Sequence, residues 1–365
     1  MFGMIKNTYI HIPFCTKKCN YCTFTSVDKL TLKNIYIDAL LNEINHYYKN
    51  ELQNTIYIGG GTPSLLSIND FENIFDLLNY DKNTEITVEV NPESATKEYL
   101  KGLKSIGINR LSIGIQSFDD DILKKIGRIH TSQTAKNCIN NAINVGFENI
   151  SADLIYGLPT QSNENFIESL KTLIDFDIQH ISLYGLKIEE GCDFFNQKPD
   201  FLPDDDTQAD MYLQAIELLK QHNFKHYEIS NFAKDKFASK HNLNYWNANT
   251  YYGFGLGAHG YEKNIRYEHT KNIEDYIKNP LFRKENEKLT PQEQLEEYIF
   301  LGLRKIDGIN VFDIKHKFNI DFDEKYSKII EKYLSSKHLK KTMNGYQLTS
   351  EGVLLSNIIM ADFLE

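Results

Sequence analysis

Residues 8–22 read TYIHIPFCTKKCNYC. Residues 8–12 are rich in β-branched and aromatic side chains and predict a short strand. Pro13 breaks the run, and Cys15, Cys19 and Cys22 follow at C-x3-C-x2-C spacing on the loop that leaves the strand. The chain has five cysteines; the other two, Cys138 and Cys192, stand alone. An odd, clustered set fits a metal centre better than a disulfide framework. A 4Fe–4S cluster normally takes four thiolates, so three leave one iron open. A zinc knuckle is the alternative. It needs a fourth ligand, for which His11 is the nearest candidate, but no second CxxC or HxxxH follows.

Five further strand-like runs lie downstream, at residues 55–59, 85–90, 110–115, 149–155 and 180–184. Amphipathic segments separate them. Leu32, Tyr36, Leu40, Ile44 and Tyr47 form one stripe at helical spacing, and a second helix is predicted after Pro203, with Asp204–Asp206 at its positive end. Six β–α units in succession demand a parallel sheet with helices outside. Six are too few for the closed eight-stranded barrel, so the expected fold is α/β, a partial, open (β/α)6 barrel. Its site belongs at the carboxyl ends of the strands. The alternation fades after about residue 230. Thr290-Pro291-Gln292-Glu293 is a cap, a proline and a capping-box glutamate, and Asn344-Gly345 suits a hairpin turn. The expected division is a barrel core at 1–230, a connecting segment at 231–285 and a smaller C-terminal winged-helix-like domain at 286–365.

The composition is 41% hydrophobic and 25% charged, with a net charge of −10. That balance suits a globular core and argues against a general nucleic-acid binder. The N-terminal stretch MFGMIKNTYIHIPFC lacks an apolar signal core, and no run of about 18 apolar residues occurs anywhere, so a cytoplasmic location is expected.

Six motifs, YIHIPFC, GGGTPS, VEVNP, IGIQSF, GRIH and DLIYGLP, occur in that order. Together they resemble the radical S-adenosylmethionine (SAM) proteins related to oxygen-independent coproporphyrinogen III oxidase. In that family SAM chelates the open iron through its methionine amino and carboxylate groups. Reduction of the cluster then yields a 5′-deoxyadenosyl radical. The resemblance implies SAM contacts at Gly60, Gly61 and Thr62, at Glu89 (ribose hydroxyls), Gln116, Arg128 (SAM carboxylate) and Asp153 (ribose or adenosine), with Tyr9 near the methionine and Tyr21 beside the adenine. Their chemistry agrees: bare backbone approaches the ligand, carboxylates accept from hydroxyls, and a guanidinium offers a fixed fork.

The oxidase branch carries a fourth cysteine two positions after the third, where this chain has Phe24. The HemW-type heme chaperone branch has phenylalanine there and an HNxxYW motif, which residues 241–246, HNLNYW, match in full. The resemblance therefore implies heme as cargo, with His241 as iron ligand and Tyr245 and Trp246 as flat faces for the porphyrin. It also implies recipient hemoproteins, those of a respiratory chain among them, and an electron donor for the cluster, and it admits a homodimer. His259 is a rival ligand in a Gly-rich turn. His180, His226, Cys138 and Cys192 are expected to be structural, although Cys192 stands on a strand-end loop that could reach a substrate cavity. Two enzyme readings stand beside the carrier: porphyrinogen-decarboxylating oxidase, and a radical SAM nucleic-acid-modifying enzyme using the C-terminal domain as its grip.

Overall fold

The computed structural model describes residues 4–364; the first three residues of the N-terminal stretch and Glu365 lie outside it. Six strands lie side by side in chain order and all parallel: β1 (Asn7–Ile12), β2 (Thr55–Gly60), β3 (Glu85–Val90), β4 (Arg110–Gln116), β5 (Ile150–Tyr156) and β6 (His180–Gly185). The expected strands are all present, with ends shifted by a residue or so. Between them run α1 (Lys33–Tyr47), α2 (Ile68–Phe75), α3 (Lys97–Ser105), α4 (Asp120–Lys125), α5 (Ser132–Val145) and α6 (Asn163–Ile174). α7 (Asp193–Asn196) and α8 (Asp205–Gln221) follow β6. Asp204 caps α8 by accepting from the Thr207 amide, as its acidic start predicts.

Period-two alternation sorts the side chains into two layers. Ile10, Ile58, Val88, Ile113, Ala152 and Ile181 point to the helices and are fully buried. Their neighbours face the lumen and are polar: Tyr9 and His11, Tyr57, Glu89, Ser112, Asp153. The outward layer supplies the core, which leaves the lumen free for chemistry.

The expected boundary at residue 230 does not hold as a break in the sheet. β7 (Lys225–Glu228) and β8 (Asn231–Ala233) extend it antiparallel beyond β6, and β9 (Tyr252–Phe254) pairs parallel with β1. The stretch read as a connector thus covers both edges of the six-stranded sheet, whose backbone groups would otherwise be unpaired. Between β8 and β9 runs α9 (Lys240–Trp246). It crosses the amino-terminal mouth of the barrel, because the first residue of each of β1, β2 and β3 bonds to it. Asn7 donates to Asn244 Oδ1 (2.6 Å), Thr55 Oγ1 meets His241 Nδ1 (2.8 Å), and Glu85 accepts the His241 amide (3.1 Å).

The C-terminal region is winged-helix-like. Helices Pro291–Leu303, Val311–Phe318 and Ser327–Ser335 pack with an antiparallel sheet of Ile309–Asn310, Gly345–Leu348 and Leu339–Lys341. The capping box at Thr290 and the hairpin turn before Gly345 both form. Among the described residues no helix is long and apolar enough to cross a membrane.

Candidate cofactor site

The cysteine loop is tied down from several sides. The Cys15 amide donates to Val27 O, the Asn20 amide to Ile126 O, and the Phe194 amide to Asn20 O. The three thiols are free, half-buried and on the carboxyl side of β1. Burial pushes the Cys22 thiol up to about 11 and the Cys15 thiol upward; a bound iron cluster deprotonates such thiols outright. His11 does not serve as a fourth ligand. Its Nε2–H donates to the Thr25 carbonyl (2.7 Å), and its Nδ1 accepts from the Tyr9 hydroxyl (2.9 Å). Burial holds this ring neutral, down at about 4. With both nitrogens engaged, the zinc alternative loses its nearest fourth ligand.

A polar chain links two of the cysteines. Thr62 Oγ1 reaches Cys15 Sγ (3.5 Å) and accepts from Asn91 Nδ2 (3.2 Å). Asn91 Oδ1 accepts from Arg128 (3.0 Å), whose other guanidinium nitrogen reaches Cys19 Sγ (3.6 Å). Arg128 also donates to the Gly114 carbonyl, and Gln116 lies over the same glycine. Gln116 sits at a bulge with φ +71°, which turns its side chain at the end of β4.

Gly60 and Gly61 follow from the closeness of β1 and β2, and Gly59 from the Glu89 side chain, which a Cβ there would meet at 2.9 Å. A Cβ on Gly61 would stand 2.8 Å from Phe14 O, and one on Gly60 (φ +119°) 2.6 Å from the His11 ring. Glu89 accepts from Tyr57 (2.7 Å) and from the Gly60 amide (3.0 Å). Burial raises Glu89 to about 7 and Asp153 to about 6. Asp153 lies 3.5 Å from Ser112 Oγ. Tyr9 stacks on Tyr57, with ring centroids 6.2 Å apart. Tyr21 packs against a small apolar cluster that includes Ile126, Leu158, Cys192 and Phe194. Of the nine residues expected to touch SAM, Tyr21, Gly60, Gly61, Thr62, Glu89, Gln116 and Arg128 lie at or beyond the carboxyl ends of the strands, while Tyr9 and Asp153 face the lumen from mid-strand. Carboxylates, amide, guanidinium and bare backbone there suit a ligand that is charged at one end and hydroxylated at the other.

Tyr57, Asn91 and the 43%-exposed Tyr184 at the end of β6 also belong to this face, and sequence reasoning missed them. Asn91 stands inside the quoted VEVNP motif, which is the signal that marks it.

The HNLNYW segment is placed differently from expectation. His241 is 1% exposed. Thr55 spends its hydroxyl proton on Asn7 (3.0 Å), so His241 Nδ1–H donates to Thr55 and Nε2 accepts from the Tyr245 hydroxyl (2.9 Å). The ring stacks on Tyr57 at 5.0 Å, and burial keeps it neutral, down at about 3. Trp246 lies under the Arg304 guanidinium, 4.4 Å from the ring centre. As folded, α9 closes the barrel floor, with His241, the residue expected to ligate heme iron, buried in it. Both ring nitrogens of His241 are in use, whereas Asn244 Nδ2 and the Trp246 indole N–H are buried without a hydrogen-bond partner. His259 is exposed, 3.9 Å from Glu268. His180 is buried between Ser151 and Tyr227, and His226 stacks on Phe232, both structural as expected. Cys138 is buried in α5, and Cys192 is buried with its thiol on Glu189 O rather than in a cavity.

Comparison with known proteins agrees with this architecture. Residues 9–173 match the Radical SAM superfamily, and residues 289–355 match the HemN C-terminal domain. The heme chaperone HemW of Lactococcus lactis is 37% identical, over 98% of this chain and 97% of that protein. The heme chaperone HemW of Bacillus subtilis is 36% identical over 99% of each. The solved structure of Escherichia coli coproporphyrinogen III oxidase (HemN) is 22% identical. It covers 99% of this chain and 90% of that one with a TM-score of 0.86, which shows the shared fold. With near-full-length relatives above 35% identity and the cysteine triad set at the mouth of a radical SAM barrel, the chain belongs to the HemW family of radical SAM proteins.

Proposed function

We propose that this protein is a cytoplasmic heme chaperone that binds heme and, with a SAM-bound 4Fe–4S cluster, passes it to hemoproteins without turning over coproporphyrinogen. The observation that carries this is the match to relatives named heme chaperones over 98% of the chain. Phe24, where the oxidase branch has its fourth cysteine, agrees with it.

Cys15, Cys19 and Cys22 hold the cluster, which supplies electron transfer to SAM when bound. Gly60, Gly61 and Thr62 admit the amino-acid end of SAM. Arg128 receives its carboxylate, Glu89 and Asp153 accept from its hydroxyls, and Gln116 bonds beside them. Tyr9 and Tyr21 wall the pocket against water. A separate electron donor, recipient hemoproteins such as those of a respiratory chain, and a homodimer complete the proposal.

For the cargo, His241 remains the ligand we favour, in a masked form. Its Nε2 lone pair is the one an iron needs, and the Tyr245 hydroxyl now occupies it. Heme binding on this route displaces that hydroxyl and lifts α9 from the floor, which frees Tyr245 and Trp246 to face the porphyrin.

The test is an anaerobic heme titration of the reconstituted protein, following the Soret band, for wild type and His241→Ala. Saturable, stoichiometric binding that the mutation removes is expected. Absence of saturable binding to wild type would sink the chaperone reading. Binding equal in the two proteins would keep the chaperone and remove His241 from it.

A further inference from the structure

The barrel lumen holds one guanidinium that none of the expected SAM contacts uses. On β4, Leu111 and Ile113 face the helices, so Arg110 and Ser112 face inward. Arg110 pairs in register with Thr87 of β3, one inward position below Glu89. It is 2% exposed. Its Nε and the Thr87 hydroxyl are both buried without a hydrogen-bond partner. Among the described residues no carboxylate forms an ion pair with it. An isolated buried charge is costly, so something nearby must offset it.

The groups around it identify the offset. Above it stand Glu89 and Asp153, each of which feels the Arg110 charge. Beside and below it, Tyr57, His180, Tyr227 and His241 also feel it, and both imidazoles stay neutral. Glu89 further faces Tyr57, the Gly60 amide and Asp153, whose like charge opposes its ionisation, and Asp153 faces Ser112, Ser182, Tyr184 and Arg128. Glu85, the remaining acid of β3, is occupied by the amides of Lys240 and His241. The two upper carboxylates are therefore the counter-charges of Arg110, acting across the lumen rather than through contact.

We propose that Arg110 is a positioning residue of the SAM pocket: its buried, unpaired guanidinium, one inward position below Glu89, is the counter-charge that supports Glu89 and Asp153 as acceptors for the hydroxyl groups of SAM. The proposal rests on the assignment of those two carboxylates to SAM. The sign follows from acid titration. A carboxylate raised by burial is lost as pH falls through its folded value, about 7 for Glu89 and about 6 for Asp153. Removing a nearby positive charge raises both further.

The experiment measures SAM affinity by equilibrium dialysis on the reconstituted, anaerobic full chain, from about pH 5.5 to 8.5. Wild type, Arg110→Gln, Arg110→Lys and Glu89→Gln are compared. The expected result is an Arg110→Gln defect of about ten-fold at neutral pH that closes toward the alkaline end, with Arg110→Lys near wild type throughout. A defect of equal size at every pH, or no defect, overturns the proposal. If Arg110→Gln does not fold, Arg110→Gln/Glu89→Gln removes both charges and is expected to fold; if it too fails, Arg110 is a scaffold residue and the proposal falls. Glu89→Gln separates the two levels: SAM binding equal to wild type at every pH would overturn the pocket assignment itself.

Discussion

At the scale of single residues, the tautomer of His241 carries the most consequence. Nδ1–H is spent on Thr55 and Nε2 is capped by Tyr245, so iron and tyrosine compete for one lone pair. Tyr245→Phe removes the competitor and keeps the ring. A hydrogen bond of this kind contributes about 1 kcal/mol net, so heme affinity is expected to rise roughly five-fold in the Soret titration. A fall in affinity would mean that the hydroxyl belongs to the heme site rather than masking it. The contrast between this site and the SAM pocket shows what a sequence exposes. Cys15, Glu89 and Gln116 are readable because each lies at or just past the end of a strand, where side chains project to one face; Asp153, in the middle of β5, is marked by its motif DLIYGLP. Tyr57 and Arg110 are not, because their role depends on which neighbours the register brings across the lumen. The residue types of HNLNYW say nothing of burial, and burial decides what the helix presents.

At the scale of elements, a buried cluster fixes the glycine-rich stretch to the barrel. Glu43 on α1 is fully buried. Its Oε1 lies 2.9 Å from His269 Nε2, and its Oε2 accepts from Tyr276 and the Gly255 amide (3.0 Å). Tyr36, two turns earlier on the same face, donates to His11 O (2.7 Å) and accepts from the Leu256 amide (3.1 Å). These bonds hold β9 against β1 and the turn at Gly257 against Thr25 of the cluster loop. Removing the shared acceptor leaves the Tyr276 hydroxyl and the Gly255 amide buried without a partner, so Glu43→Ala is expected to cost about 1–3 kcal/mol. Urea unfolding reads this as a lower midpoint with an unchanged slope; a loss below about 1 kcal/mol would mean the cluster opens without harm. Neither β9 nor its anchor is legible in the sequence. β7, β8 and β9 are three or four residues long, too short for alternation to show, and pairing with existing edges is what makes them strands. β1–β6 and α1 are legible because each repeats its period several times.

Across the whole molecule, the barrel and the C-terminal region meet at α9, so the floor helix also serves as the domain seam. Arg304, at the end of helix Pro291–Leu303, covers the Trp246 ring, and Lys305 Nζ donates to Asn247 Oδ1 (2.7 Å). The backbone joins in: the Ile229 amide donates to Arg304 O (3.0 Å), and the Ile306 amide to Tyr227 O (3.1 Å). Glu228 is fully buried beside this strand edge and feels the Arg304 charge. A desolvated cation over tryptophan contributes about 2 kcal/mol, so Arg304→Ala removes both that contact and a countercharge of Glu228. Trp246 is the only tryptophan of the chain, which makes the seam directly observable. Arg304→Ala is expected to shift tryptophan emission to the red and to speed proteolysis between the barrel and residues 289–355. If α9 must lift to release His241, the same loosened seam raises the rate of heme uptake by wild-type His241. A red shift with faster uptake ties the seam to cargo loading. A red shift with unchanged uptake makes the seam purely structural, and heme would then reach the protein without moving the floor.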